Sequence, residues 1–323
     1  MTRKSLYILL VFITVTFTGC WVTRIAINSV EDSILDTPAK ITKLNNPLAD
    51  SVKISVLWAG HSTSLVQLYD KVIIFDPFFN KRFSGLMLRK TELGLYVDSL
   101  KRLDAIFVSH PHIDHLSFTS IDILADKFPN AKLVFPKGVE NYLPDYNIQM
   151  VRVDNADTKF KRFIGKSVYV YGLKVTPVFA YHFGGRYGFD TYSWLEEGVT
   201  GYIVEYKDVC VYYSGDTGYY DKAFKEIGNN FKIDVAIIPI GPCRNCDSVG
   251  FRFHTSSIEA LELFRDLKAD YMIPVHYGAA QYFTDVNKPL DVMNQLLNDS
   301  TYAFRELRDK VIPLKVGEQK VWR

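Results

Sequence analysis

Net charge is almost absent from this sequence. Its 38 lysines and arginines face 36 aspartates and glutamates over 323 residues, and no basic run lies beyond the N-terminus. Nucleic-acid binding driven by phosphate neutralisation is therefore disfavoured. No internal repeat at solenoid period is found, and nothing in the composition points to collagen, coiled coil or wholesale disorder. Histidine is scarce, with seven residues, so their placement carries weight. The hydrophobic fraction of 48% is ordinary for a globular chain. The length suits one large domain or two small ones.

The first residues read as a targeting segment. Arg3 and Lys4 precede an apolar run, Leu6 to Phe17, interrupted only by threonine, and Thr18-Gly19-Cys20 follows. The run is shorter than the roughly 20 residues that a spanning helix needs. The pattern resembles the lipobox of bacterial lipoproteins. That resemblance implies a signal peptide over residues 1–19, cleavage before Cys20, and lipid on its sulfur. Phe17 stands where the lipobox usually has an aliphatic residue. Cleavage removes Arg3 and Lys4, leaving basic residues equal in number to the 36 acids. The implied location is the bacterial cell envelope, outside the cytoplasm, anchored to membrane lipid through Cys20. Trp21, where inner-membrane retention uses Asp, favours an outer membrane if there are two. Cys210 lies in the apolar run Val209–Tyr213 and reads as a small buried hydrophobe. Cys243 and Cys246 form a single C-x-x-C, weak as a zinc site without a second pair. In an exported protein a local disulfide is preferred over free thiols.

Residues 20–50 lack periodicity and read as a lipidated tether, with a folded domain over 51–323. Val52–Trp58, Leu65–Leu68 and Lys71–Phe75 predict strands joined by short turns, an antiparallel start to a sheet. Leu103–Val108 predicts a buried strand, Thr119–Lys127 a helix, Lys132–Phe135 a strand and Gly138–Tyr142 a short helix. Residues 167–178 predict a hairpin turning at Tyr171-Gly172, and Ala180-Tyr181-His182 ends a strand. Gly201–Tyr213 predicts a second hairpin and Val235–Ile240 a buried strand. Ser256–Leu267 predicts a helix that Ser256 or Ser257 caps. Tyr271–Val275 predicts a strand, residues 290–309 a helix, and Val311–Leu314 a closing strand. Between Phe78 and Leu100 the pattern is less regular. It reads as a loop and helix packed on the core, or as an apolar lip that meets lipid.

Three of the seven histidines fall within six residues, in Ser109-His110-Pro111-His112-Ile113-Asp114-His115, directly after the strand predicted at 103–108. Imidazole and carboxylate are ordinary ligands for zinc and similar divalent ions. A strand-then-loop H-x-H-x-D-H can aim two imidazoles at one ion and hand its Asp-His pair to a second. Three later strand ends carry His182, Asp216 and His276.

In order and chemistry these positions resemble the metallo-β-lactamase superfamily over roughly residues 53–290. The resemblance implies an α/β fold, a four-layer αββα sandwich with its site at one edge between the two sheets. It implies two divalent ions, with zinc the leading candidate. His110, His112 and His182 would hold one, Asp114, His115 and His276 the other, and Asp216 would bridge them. Further motifs resemble the N-acylphosphatidylethanolamine-hydrolysing phospholipase D family. These are Trp58-Ala59-Gly60-His61-Ser62-Thr63, Asp76-Pro77, Gly215-Asp216-Thr217-Gly218-Tyr219, Pro239-Ile240-Gly241, His276-Tyr277-Gly278, and His254 ahead of Glu259-Ala260. Pro242–Cys246 replaces that family's aromatic and arginine run after P-I-G, and loops 80–100 and 184–198 match only loosely.

The implied activity is a membrane-anchored, binuclear metal-dependent phosphodiesterase acting on a phospholipid. Asp114 would orient an attacking hydroxide, and His254 would stabilise a phosphate oxygen or protonate a leaving group. Asp76 reads as the acceptor for the far N–H of a ligating histidine, or as a turn residue before Pro77. His61 reads as a support behind the ligands, a substrate donor or a turn residue. Arg186 reads as a phosphate partner or a surface residue. Two other readings stay open: the same fold acting on a lactone or another small ester, and a non-catalytic metal-binding lipoprotein. The oligomeric state is not legible.

Overall fold

The computed structural model describes residues 37–83, 87–154, 162–187, 190, 197–250, 253–280, 285–301 and 303–323. The chain opens with an antiparallel meander of β1 (Ile54–Gly60), β2 (Thr63–Leu68) and β3 (Lys71–Phe75), as their alternating pattern predicts. A two-stranded ribbon follows, β4 (Arg82–Phe83) with β5 (Met87–Leu88). Then β6 (Ala105–Phe107), β7 (Lys132–Pro136) and β8 (Gln149–Val153) extend the first sheet in parallel. Helix α1 (Phe118–Lys127) lies between β6 and β7, and the Ser117 hydroxyl accepts the Ser120 N–H at its start. Strands β9 (Val168–Val170), β10 (Leu173–Val178), β11 (Gly201–Tyr206) and β12 (Val209–Tyr213) are antiparallel, and β13 (Val235–Pro239) and β14 (Tyr271–Val275) extend them in parallel. Helices α2 (Asp221–Asn230), α3 (Ser257–Leu267) and α4 (Lys288–Asn298) belong to this half, and β15 (Gln319–Trp322) returns to pair with β1. The first sheet runs β15-β1-β2-β3-β6-β7-β8 and the second β14-β13-β12-β11-β10-β9.

Period-two alternation gives the first sheet two apolar faces. Val56, Ile73, Phe75 and Phe107 turn to the central core, whereas Leu57, Ile74 and Ile106 turn to a second core under α1. The sheets meet face to face: Phe75 stacks on Tyr213 with centroids 4.3 Å apart, and Phe107 meets Tyr202 edge-on at 5.1 Å. Phe224 and Ile227 of α2 and Leu261 and Phe264 of α3 are buried in the same core as the second sheet. The result is the expected mixed α/β architecture of two sheets flanked by helices.

Several boundaries differ from expectation. The helix expected at 290–309 stops at Asn298. Asp299 turns the chain by accepting the Thr301 N–H and hydroxyl, at 2.8 and 2.7 Å. Val311–Leu314 contributes only an isolated bridge to Met272, and the closing strand is β15. The strand expected to reach His182 ends at Val178, with Tyr181 in a single bridge to Gly218. The expected tether is shorter than 20–50, because residues 37–50 lie on the domain. The Ala39 N–H donates to the Lys90 carbonyl at 2.8 Å, and the Gln67 side chain exchanges hydrogen bonds with the Ala49 backbone. Phe78, Phe83, Leu88 and Arg89 are buried, so most of the expected lip packs inward, while Leu86 lies outside the described residues. The signal peptide and Cys20 also fall outside them. Among the described residues, no helix is long and apolar enough to cross a membrane. Cys243 and Cys246 form the preferred local disulfide, and Cys210 is buried with a free thiol.

Helices α2 and α3 touch at Gly228. A Cβ there would lie 2.3 Å from the Asp266 carbonyl oxygen and 2.7 Å from that of Leu267. Alanine gains about 1 kcal/mol of helix propensity over glycine, but overpacking costs about 1–3 kcal/mol, and a clash with rigid backbone sits high in that range. Gly228→Ala is therefore expected to lower the thermal midpoint by a few degrees in circular dichroism. A raised midpoint would show that α2 shifts freely off α3.

Candidate metal centre

Every candidate ligand follows the carboxyl end of a strand, the edge where α/β sheets collect their sites. Asp76 follows β3, Ser109–His115 follows β6, His182 follows β10, Asp216 follows β12 and His276 follows β14. Gly215 permits this convergence: its φ is +60°, and a Cβ would sit 2.5 Å from the Ser109 Cβ.

Two clusters result. Ligand atoms of His110, His112 and His182 lie within 4.8 Å of one another, as do those of His61, Asp114, His115 and His276. His112 Nδ1 is 2.8 Å from His110 Nε2 and 3.2 Å from His182 Nε2. Asp216 stands between the clusters. Its Oδ2 is 3.1 Å from His115 Nε2, 3.2 Å from His276 Nε2 and 3.9 Å from His110 Nε2. His254 Nδ1 lies 3.6 Å from the same oxygen. The structure thus brings together all seven residues expected to ligate metal, with His254 beside them.

The donor set fits divalent metal. Asp216 Oδ1 is buried without a hydrogen-bond partner, a costly state for a carboxylate oxygen. Three imidazole nitrogens converge at His110, His112 and His182, more acceptors than neutral rings can satisfy among themselves. Burial lowers the pKa of His61 to about 3 and of His254 to about 4, and pushes His110, His112 and His182 down as well. Burial also opposes ionisation of Asp114 and Asp216, but the imidazoles around them, His115 foremost, hold both well below the carboxylate range. Neutral imidazoles and ionised carboxylates are the ligating forms. His115 differs. Burial disfavours its charge, yet Asp216, Asp114 and Asp76 outweigh burial and raise its pKa well above the imidazole range. Three acids around one ring call for a cation.

Behind the ligands, Asp76 is fully buried and accepts four hydrogen bonds. Its Oδ1 takes the Ser109 N–H at 2.7 Å. Its Oδ2 takes the Ser109 hydroxyl at 2.6 Å, the Tyr213 hydroxyl at 2.7 Å and His115 Nδ1 at 2.7 Å. The last contact turns His115 Nε2 toward Asp216. The Phe253 carbonyl does the same for His182, 2.7 Å from its Nδ1. His61 is buried with Nε2 3.0 Å from Asp114 Oδ2, and its carbonyl accepts from the Trp58 indole at 2.7 Å and the His276 N–H at 3.1 Å. Arg186 neither lies free on the surface nor is aimed at the clusters. Its Nη1 donates to the Pro111 and Leu116 carbonyls at 2.9 and 2.8 Å, clamping the histidine loop.

Sequence reasoning missed Ser109, Tyr213 and Phe253. Tyr213 sits in an apolar strand and reads as core, and Phe253 acts through its backbone, so neither gives a signal. Glu259 did give one. With Ser256 it forms a capping box on α3, and its other oxygen accepts the Gly250 N–H at 2.6 Å, bracing the loop that carries His254.

Residues 71–277 match the beta-lactamase superfamily domain. The chain belongs to the metallo-β-lactamase superfamily. Among its relatives, a metal-dependent hydrolase from Saccharolobus solfataricus is 31% identical over 222 residues, covering 68% of this chain and 83% of its own. An N-acyl-phosphatidylethanolamine-hydrolyzing phospholipase D from Caenorhabditis elegans is 26% identical over 283 residues, covering 82% and 74%. The chain spans 63% of the length of uncharacterised mycobacterial relatives that it matches at 27% identity. In fold it is similar to a metallo hydrolase from Ignicoccus hospitalis, with a TM-score of 0.59 at 20% identity, covering 84% of this chain and 98% of that one.

Within this superfamily frame, Asp76 has a measurable role. Asp76→Asn keeps the shape but offers one acceptor oxygen in place of two. Zinc affinity, read by competition with a chromogenic chelator, is expected to fall about 10–100-fold. Unchanged affinity would show that His115 is oriented without it. Zinc at 1,000 times its dissociation constant is further expected to stabilise the fold by about 4 kcal/mol over chelator-treated protein, seen as a higher melting midpoint. Equal midpoints would mean that the buried acids need no metal.

Proposed function

We propose that this chain is a binuclear metal-dependent hydrolase, a phosphodiesterase of the N-acylphosphatidylethanolamine phospholipase D type, anchored to a membrane by lipid on Cys20. One observation carries the reading: Asp216 Oδ2 stands between two nitrogen-rich clusters, 3.1 Å from His115 and 3.9 Å from His110. His110, His112 and His182 would hold one ion, Asp114, His115 and His276 the other, and Asp216 both. Nitrogen and oxygen donors of this kind suit zinc. Bound divalent ions there supply electrophilic polarisation of the attacked ester and bring the pKa of a water toward neutrality.

The remaining work belongs to the chain. Asp114, fixed by His61 at 3.0 Å, orients the attacking water. His254, whose Nδ1 is buried without a partner, donates to a phosphate oxygen. Phe83 meets the His61 ring edge-on at 4.8 Å and keeps bulk water from that side. In the reaction, water oxygen joins phosphorus, the bond from phosphorus to the ethanolamine oxygen breaks, and phosphatidic acid and N-acylethanolamine are released. The lipid assignment is supported by the resemblance of this chain to that family's W-x-G-H, G-D-T-G-Y and P-I-G motifs and by the nematode relative, 26% identical over 82% of this chain. Anchoring in the cell envelope is supported by Arg3, Lys4, the apolar run and Cys20.

Product analysis tests this. Zinc-loaded full-length protein in mixed micelles with N-acylphosphatidylethanolamine is expected to yield phosphatidic acid. His254→Ala should lower kcat about 10²–10³-fold, as expected for loss of one oxyanion donor, with zinc content intact and partial recovery in His254→Gln. Lactone turnover without phosphatidic acid would replace the phosphodiesterase with an ester hydrolase of the same fold.

A further inference from the structure

The segment at residues 37–44 crosses the domain as an arm, with a cavity on either side. Its Ala39 pairs with Lys90 and Glu92 through backbone hydrogen bonds of 2.8 and 3.0 Å, and the Thr42 carbonyl packs on Gly317. One cavity, about 710 Å³, lies between the arm, the 314–319 turn and α4. Its walls are mostly apolar, with Ile41, Trp58, Tyr277, Leu290, Leu314 and Val316 among them, and Lys315 and Glu318 also line it. None of the candidate metal ligands lines it. The second, about 580 Å³, has Lys40, Lys43, Lys81 and Arg89 in its walls against one acid, Glu92. Lys43 lines both cavities. Its Nζ pairs with Glu92, a wall of the basic cavity, at 3.1 Å and lies 4.9 Å from the centre of the Tyr96 ring.

From this juxtaposition we propose that the arm forms a binding site for an anionic single-chain amphiphile, separate from the metal centre. The acyl chain lies in the apolar cavity, whose volume falls within the 300–1,000 Å³ typical of ligand sites. The anionic head meets Lys43, with Lys40 and Lys81 beyond it. Apolar walls supply most of the affinity, since burial of chain methylenes gains about 0.8 kcal/mol each. The lysines select the sign of the head group. Occupancy is also felt at the metal centre. Trp58 stacks on Tyr277 at 4.7 Å, its indole donates to the His61 carbonyl, and Tyr277 directly follows His276. A chain seated against these two rings presses on the backs of two residues in the cluster around Asp114.

Calorimetric titration of the zinc-loaded full-length protein tests the site, with probes below their micellar concentrations. Dodecanoate and dodecyl phosphate are both expected to bind, and their ratio reports carboxylate against phosphate preference. Dodecyl maltoside, with the same chain and no charge, should bind at least about tenfold more weakly, a difference of about 1.4 kcal/mol. Leu290→Trp fills the cavity and should abolish binding. Lys43→Gln, which removes the ammonium without setting a second carboxylate beside Glu92, should weaken dodecanoate at least about tenfold while leaving zinc content unchanged. His110→Ala should still bind dodecanoate, weakened or strengthened by no more than the modest coupling between the two sites. Loss of binding in His110→Ala with retention in Leu290→Trp and Lys43→Gln would move the amphiphile to the metal centre and overturn the proposal. Equal affinity for the maltoside, or no binding of either anion, would overturn it as well.

Discussion

Buried negative charge is the constraint on which this structure turns. Asp76, Asp114 and Asp216 converge on His115 at one edge of the sandwich, and Asp76 and Asp216 are almost wholly removed from water. Isolated charges in such a place are too costly to keep. Hydrogen bonds meet part of the demand, above all the four that end on Asp76. The rest falls to a proton on His115 or to metal. Backbone strain collects at the same place: His61, Asp76 and His276 have φ of 56°, 41° and 62°, conformations unusual for residues with side chains. Strain of this kind costs of order 1–3 kcal/mol per residue and persists where packing over-determines the geometry. Here the His61 carbonyl does so by holding both Trp58 and His276.

Most of the scaffold and the ligand positions can be read from the chain because the signals are local. Apolar runs end at Asp76, Ser109, Asp216 and His276, and each ends in the structure as a strand that delivers its residue to the shared edge. Elements without a local signal escape. Strand β8 is a half-exposed edge containing Arg152, and β15 is a four-residue strand whose partner, β1, lies more than 250 residues away in sequence. The segment at 37–50 is aperiodic, and it is held by backbone hydrogen bonds and by the distant Gln67 side chain, which composition does not encode. Arg186 shows the same blindness at the site. Its chemistry is that of a phosphate ligand, but carbonyls of the folded histidine loop claim its Nη1.

Phe78 and Phe83, stacked at 4.6 Å, wall the His61 side of the centre and are braced by Arg89, which donates to the Phe78 carbonyl. The disulfide of Cys243 and Cys246 bridges the short turn that precedes, in sequence, Phe253 and His254. We propose that the metal chemistry belongs to the strand ends and the selectivity to the ribbon and to the loop that follows the disulfide. The two are mechanically joined through Trp58 and Phe253, each of which reaches a site residue by one hydrogen bond.

Anomalous scattering at the zinc edge from crystals of the zinc-loaded protein tests the central claim most directly. Two peaks are expected, one among His110, His112 and His182 and the other among Asp114, His115 and His276, with Asp216 contacting both. A single peak, or two peaks that leave Asp216 without metal, would contradict the claim that this carboxylate joins the two clusters into one centre.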